Sequence, residues 1–188
     1  MKLVSLHKNY SALIKKVSQG NRKAQHELFE MFAARMLSVC RQYMKSNDLA
    51  EEVMLNGFYK VITKIDSYAG QGSFEGWIRR IMVNEALSEL RRRKKLQFDD
   101  ESALENSLEH SAHIGTELEV KELQNLIDAL PNGYKTVFVL YAVEGYKHSE
   151  IAELLQISEG TSKSQLSKAR AMLQAMVSKQ NTTSYGTH

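Results

Sequence analysis

The sequence predicts an all-α fold of two small helical domains joined by a flexible acidic linker. Three observations carry that reading. The 188 residues hold one proline and ten glycines, so long stretches run without a helix breaker. Apolar residues in those stretches recur at helical spacing, and no run alternates apolar with polar as a half-buried strand does. After Lys95 the pattern lapses into LQFDDESALENSLEHSAHIG, which is acidic, serine-bearing and without a clean period. The expected boundaries are a first domain over 8–95, a linker over 96–116, a second domain with a helix-turn-helix over 117–178, and a disordered tail over 179–188.

Each element has its own signal. Leu13, Ile14 and Val17 make a short first stripe, and Gly20-Asn21 breaks it. Leu28, Phe29, Phe32, Met36, Val39, Cys40 and Tyr43 make a second stripe. Asn47-Asp48 punctuates again. Asp48 is the expected N-cap of the next helix, with Glu51 and Glu52 in its first turn, where carboxylates complement the helix dipole. That helix carries Val53, Met54, Phe58, Val61, Ile62 and Ile65. The loop SYAGQGS then leads into GWIRRIMVNEALSELRRRKK. Beyond the linker, ELEVKELQNLIDAL, YKTVFVLYAVEG, YKHSEIAELLQIS and EGTSKSQLSKARAMLQAMV are helical units ended by Gly, Pro or Asn or opened by a capping serine.

Composition narrows the function classes. Hydrophobic residues make up 43% and charged residues 25%, a globular balance, and the net charge of +3 does not by itself imply nucleic acid. Cys40 is the single cysteine, so no intrachain disulfide forms, which fits a reducing compartment. The N-terminus lacks the apolar core of a signal peptide, and no stretch approaches the roughly 18 apolar residues of a membrane span. The expectation is a cytoplasmic protein with no membrane insertion. Catalysis finds little support. His26-Glu27 lacks the second histidine of a zinc-protease helix, His110 and His113 lie in the linker without a third ligand, and no nucleophile elbow or phosphate-cradling glycine loop is present. No catalytic residue, metal or cofactor is expected.

The second domain reads as a helix-turn-helix. Ser149 is the expected N-cap of EIAELL, the connection QIS is short, and Ser158 is the expected N-cap of the helix that follows. Ser162, Leu166, Ala169 and Leu173 share the side facing Ile151, Ala152 and Leu155, and the small Ala152 allows close approach. The opposite side carries Gly160, Ser164, Ser167, Lys168 and Ala171, flanked by Thr161 and Lys163. Hydroxyls and lysines without bulk suit a helix in a major groove, although a plain helical hairpin has a similar polar face. Gln156 sits where such turns usually hold a left-handed glycine, at a cost of roughly 1 kcal/mol.

The first domain ends in the densest charge of the chain. At about 100° per residue, Trp77, Arg80, Asn84, Ser88, Arg91 and Lys95 share one helix face, and Met82, Val83, Ala86, Leu87 and Leu90 share the core face. Cations follow phosphates, amides read base edges, and aromatics stack on bases taken out of a helix. The glycine-bearing loop from Tyr68 to Ser73 is suited to closing on one unstacked base. A lone Trp also serves as core, and a terminal basic run also serves as a solvated helix end.

Together these stretches resemble bacterial sigma factors of the extracytoplasmic-function type, over about Tyr10 to Val177. AEEVMLNGFYKVITKI resembles the region 2 helix that docks on core RNA polymerase, and SYAGQGSFEGWIRRIMVNEALSELRRRKK resembles the segment that melts and reads the minus-ten element. ALPNGYKTVFVLYAVEGYKHSEIAELL and SEGTSKSQLSKARAML resemble region 4, which reads the minus-thirty-five element. The pattern Phe74-x-x-Trp77-Ile78-x-x-Ile81-x-x-Asn84 is the most specific signal.

The resemblance implies roles for particular residues. Asp48, Glu51, Glu52 and Phe58 belong to the polymerase-binding helix. Tyr68 and Asn84 match residues lining the pocket for a flipped minus-ten base, with Gly70, Gln71 and Ser73 in the specificity loop and Trp77, Arg80 and Arg91 along the melted strand. Trp77 remains open to packing or stacking. Thr161, Lys163, Ser164, Ser167 and Lys168 fall on the minus-thirty-five recognition helix. The implied partners are core RNA polymerase, promoter DNA and an anti-sigma factor. The chain departs at Leu55 and Asn56, where the family usually has an amide and an acid, and at Ser162, where it has a small aliphatic. The competing readings are a polymerase-independent helix-turn-helix regulator, which leaves the first domain unexplained, and a pure interaction module using the acidic helix.

Overall fold

The computed structural model describes residues 10–93 and 123–184, with side chains to 179. These fall in two compact units that divide at Arg92. The described residues are helical or in turns, with no strand among them. The linker expected over 96–116 lies outside the described residues, as do His110 and His113.

The first unit holds α1 (Ser11–Ser18), α2 (Arg22–Arg41), α3 (Asn47–Thr63), a single 3-10 turn (Ile65–Ser67) and α4 (Phe74–Arg92). Gly20, at φ +76°, takes the left-handed conformation that ends α1. The Asn21 side chain then accepts the Ala24 N–H and caps α2. At α3 the cap is Ser46 and not Asp48. Ser46 is extended, its hydroxyl accepts the Leu49 N–H at 3.3 Å, and Asp48 lies inside the first turn. Ser46, Asn47 and Asp48 are all good caps by type. The residue that keeps the extended backbone takes the role.

Helices α2, α3 and α4 pack on one another around one core. Leu28, Phe32 and Met36 enter it from α2, Val53 and Val61 from α3, and Ile78, Met82 and Leu87 from α4. Phe58 is part of this core, only 3% exposed and tilted against Phe29 at a centroid distance of 4.9 Å. Phe58 thus lies on the polymerase-binding helix expected from the sequence but not on its exposed face, and its ring supports α3 from behind. At Gly57, α3 approaches α4 so closely that an added Cβ would collide with the sulfur of Met82, itself wholly buried. Gly57→Ala gains about 0.5–1 kcal/mol of helix propensity but overpacks the seam at about 1–3 kcal/mol. A net loss is expected, measured as a lower urea midpoint with an unchanged m-value. A raised midpoint would mean that Met82 swings aside freely.

Cys40 is fully enclosed in the same core, and its thiol is pushed up to about 12, first by burial and then by the Glu85 carboxylate. The native thiol therefore holds its proton where an unfolded one has lost it. This contribution to stability is intact below the ordinary thiol value of 9.0 and declines as pH rises from there toward about 12. Native protein should resist alkylation by iodoacetamide at pH 8, and urea-unfolded protein should react as a free thiol does. Rapid labelling under native conditions would contradict the enclosure.

In the second unit residues 123–128 are helical. They are followed by α5 (Asn132–Phe138), a widened π turn (Val139–Val143), α6 (His148–Leu155) and α7 (Glu159–Ser184). Val137, Leu140, Ile151 and Ala169 are wholly enclosed at the centre of this unit. Lys135, nearly buried, pairs with Asp128 at 2.6 Å. Helix α7 continues to Ser184, past the tail expected from 179, because no glycine or proline interrupts that stretch.

Candidate nucleic-acid interface

The loop between the 3-10 turn and α4 is built on aromatic rings. The Phe74 ring lies 5.1 Å from Tyr68, 5.8 Å from Trp77 at an interplanar angle of 13°, and 5.8 Å from Phe32. Tyr10 completes the cluster, 5.6 Å from Phe32 and 5.4 Å from Phe74. Tyr68 and Trp77 sit at its half-buried rim, 5.6 Å apart. Trp77 thus packs on one face against Phe74 while part of its ring reaches solvent. The Tyr68 hydroxyl donates to the Gly72 carbonyl at 2.9 Å and closes the loop on itself.

Gly70 and Gly72, at φ +73° and +75°, supply the two left-handed residues that so tight a loop requires. Between them Gln71 is exposed. Ser73 closes the loop and has a structural job as well. Its hydroxyl accepts the Gly76 N–H at 3.0 Å, so it starts α4. From that start α4 presents Arg80, Asn84, Ser88 and Arg91 as an exposed stripe below Trp77, while Met82, Val83, Ala86, Leu87 and Leu90 are buried. Arg92, the next cation, turns aside to a two-pronged pair with Glu89 at 2.8 and 2.9 Å. Lys95 lies outside the described residues.

On the solvent side of α3, Asp48, Glu51 and Glu52 form an acidic start, and Leu55 and Asn56 continue the stripe. Tyr59, four residues beyond Leu55, ends it. Leu55 is 55% exposed and Tyr59 71% exposed, the largest apolar exposures on the described part of this helix. The sequence reading missed Tyr59, although its spacing from Glu52 and Leu55 places it on the same face. The α3–α4 seam behind this stripe is closed by an ion pair between Lys60 and Glu85.

The helix-turn-helix of the second unit has the expected geometry with one changed cap. Gln156 adopts φ +57°, ψ +43°, the left-handed conformation expected of the turn. The Ser158 hydroxyl accepts the Thr161 N–H at 2.9 Å and opens α7. Helix α6, however, starts at His148, and Ser149 lies in its first turn rather than at the cap. There the Glu150 carboxylate, at the third helical position, reaches back to accept the Lys147 N–H at 2.7 Å and fixes the start of α6 ahead of Ser149. Ser162, Leu166 and Ala169 are buried toward α6, and Lys163, Ser164, Ser167 and Lys168 are exposed. Thr161 is half-buried, with its hydroxyl bonded to that of Ser158. The Ser164 hydroxyl donates to the Thr161 carbonyl at 3.0 Å, which leaves its oxygen available as an acceptor.

Among the described residues no cluster of three or more metal-ligating side chains occurs, and no helix is long and apolar enough to cross a membrane. The arrangement is that of a helix-turn-helix protein carrying a second helical unit with an aromatic loop and a cation-and-amide stripe.

Comparison with known proteins agrees with that class. Residues 28–96 match the family model described as Sigma-70 region 2, and residues 121–173 match Sigma-70, region 4. The ECF RNA polymerase sigma-E factor of Haemophilus influenzae is 27% identical over 177 residues, covering 87% of this chain and 92% of the relative. The ECF RNA polymerase sigma factor SigW of Bacillus subtilis is 25% identical over 173 residues, covering 85% and 92%. Among solved structures, the sigma factor RpoE of Bartonella quintana, crystallised with the anti-sigma factor NepR, shares the fold at a TM-score of 0.53. That match has 22% identity and covers 81% of this chain and 96% of that one. The chain belongs to the sigma-70 family, in its extracytoplasmic-function group.

Proposed function

We propose that this chain is the initiation subunit that binds core RNA polymerase and directs it to promoters, reading a minus-ten element with the first unit and a minus-thirty-five element with the second. The observation that carries the reading is the ordered pair of regions 2 and 4 on one chain. A freestanding regulator needs only the helix-turn-helix and has no use for the first unit's loop and stripe. In this reading the exposed face of α3, from Asp48 through Glu51 and Glu52 to Tyr59, meets the polymerase. The loop Gly70–Gln71–Gly72 wraps one unstacked base beside Tyr68 and Asn84, and Arg80 and Arg91 hold the strand's phosphates. Lys163 and Lys168 hold upstream phosphates while Ser164 and Ser167 face base edges, with Thr161 supporting the helix start.

The chain acts by binding and positioning, with no catalytic residue or cofactor of its own, in the cytoplasm where polymerase and DNA are. An anti-sigma factor is the expected inhibitor, in keeping with family membership. The test is runoff transcription from genomic fragments with core polymerase, with and without the chain. Discrete new start sites support the proposal. Specific DNA binding with no polymerase-dependent transcript favours the freestanding regulator instead.

A further inference from the structure

Four side chains link α7 to α6 and the π turn: Ser162 buried, His148 half-buried, and Tyr141 and Arg170 exposed. Ser162, at the end of the first turn of α7, is 0% exposed, and its Oγ shares a 2.9 Å hydrogen bond with Nδ1 of His148, the first residue of α6. The His148 ring stacks on Tyr141 of the π turn, with centroids 4.7 Å apart and planes inclined by 24°. Back on α7, the Arg170 guanidinium lies over the same Tyr141 ring at 5.6 Å. The chain of contacts leaves α7 at Ser162 and rejoins it at Arg170, about two turns or ~12 Å further along the helix. The exposed residues Lys163, Ser164, Ser167 and Lys168 lie between the two anchor points.

The chemistry of the first anchor differs from ordinary core packing. An aliphatic side chain at 162 would pack acceptably over a range of helix positions, because apolar contact is non-directional. A buried hydroxyl is costly without a partner and is satisfied only where distance and angle are right. A small roll or slide of α7 on α6 breaks the bond to His148 long before it empties the core. The second anchor adds a stacked pair and a cation over the ring, both with preferred geometry.

We propose that His148 is a positioning residue for upstream-element recognition: through Ser162 and Tyr141 it fixes the roll of α7 and so aims Ser164 and Ser167 at base edges. This rests on the reading that α7 recognises the upstream element. His148 touches no DNA and acts through α7 alone.

The test uses the full chain assembled with core polymerase on duplex promoters whose upstream element is intact or scrambled, with thermal melting of each variant. His148→Phe keeps a ring over Tyr141 and removes the partner of Ser162. His148→Asn sets an amide near the place of Nδ1 and gives up the stack. His148→Phe with Ser162→Ala removes both halves of the bond. His148→Phe is expected to lower the preference for the intact element about five-fold or more, roughly what one lost base contact costs. Its affinity for the scrambled template should stay unchanged. Adding Ser162→Ala should restore most of the preference, and His148→Asn should retain most of it. The proposal is overturned if His148→Phe keeps wild-type preference, or if it weakens both templates equally in step with a lower melting temperature. A wild-type chain with no upstream preference overturns the reading of α7 itself, which is distinguishable from a wild-type preference that survives in the variants.

Discussion

Asn84→Ala is expected to lower promoter opening about ten-fold or more while leaving the fold and the affinity for core polymerase close to wild type. Asn84 is exposed on α4 in the stripe below Trp77, so its removal opens no cavity and strands no buried partner. What it removes is an amide able to give and accept hydrogen bonds at the edge of an unstacked base, which one or two such bonds make worth about 1–3 kcal/mol. Tyr68→Ala should lose at least as much, since stacking on an aromatic is worth roughly 1–3 kcal/mol per base.

Tyr68 also packs on Phe74 and Trp77, so its truncation carries a stability cost that Asn84→Ala does not. Tyr68→Phe separates the two roles. It keeps the ring and frees only the Gly72 carbonyl that the hydroxyl now holds. Permanganate footprinting and runoff transcription on duplex and pre-melted templates provide the measurement. A pre-melted bubble should restore part of the activity of both alanine variants, because unpairing is then no longer required. It should not restore base preference. Wild-type base preference on the bubble in both alanine variants would move the pocket elsewhere and leave these residues as structural parts of the loop.

The double reversal Glu51→Lys with Glu52→Lys should weaken binding to core polymerase about ten-fold or more, equivalent to about 1.4 kcal/mol, and leave melting almost unchanged. Both carboxylates are exposed at the start of α3. The only described ion pair they make is Glu52 with Arg92 at 4.0 Å, between two well-exposed groups and so of little consequence for stability. Reversing two charges across a complementary interface introduces repulsion as well as removing attraction. Pull-down against core polymerase beside thermal melting gives the comparison. Unchanged binding would place the interface off α3.

Much of this was legible in the sequence because helical period and apolar spacing are strong signals in a chain with one proline. The buried stripes of α2, α3 and α4, the left-handed Gln156 and the cap at Ser158 follow from spacing and turn chemistry alone. The helix caps that differ from expectation have specific physical causes. Ser46 and Asp48 are equivalent as cap types, and only the extended backbone at Ser46 separates them. Ser149 is not the cap because α6 already begins at His148, its start held by the Glu150 carboxylate reaching back to the Lys147 N–H. Ser73 belongs to the loop and also caps α4, a double role that a serine before a helix readily takes.

Phe58 shares the helix expected to bind polymerase but lies on its buried face. Tyr59, the next residue, lies on the exposed face. The His148–Ser162 bond was out of reach for a different reason. It joins residues on separate elements whose meeting depends on how α6 crosses α7 and on the π turn that carries Tyr141.

Promoter recognition is proposed to belong to the chain together with polymerase. Footprinting of one promoter, with the free chain and with the chain bound to core polymerase at matched nanomolar concentrations, tests it most directly. Protection of both elements and melting of the downstream one are expected only when polymerase is present. Equal protection of both elements by the free chain would contradict it.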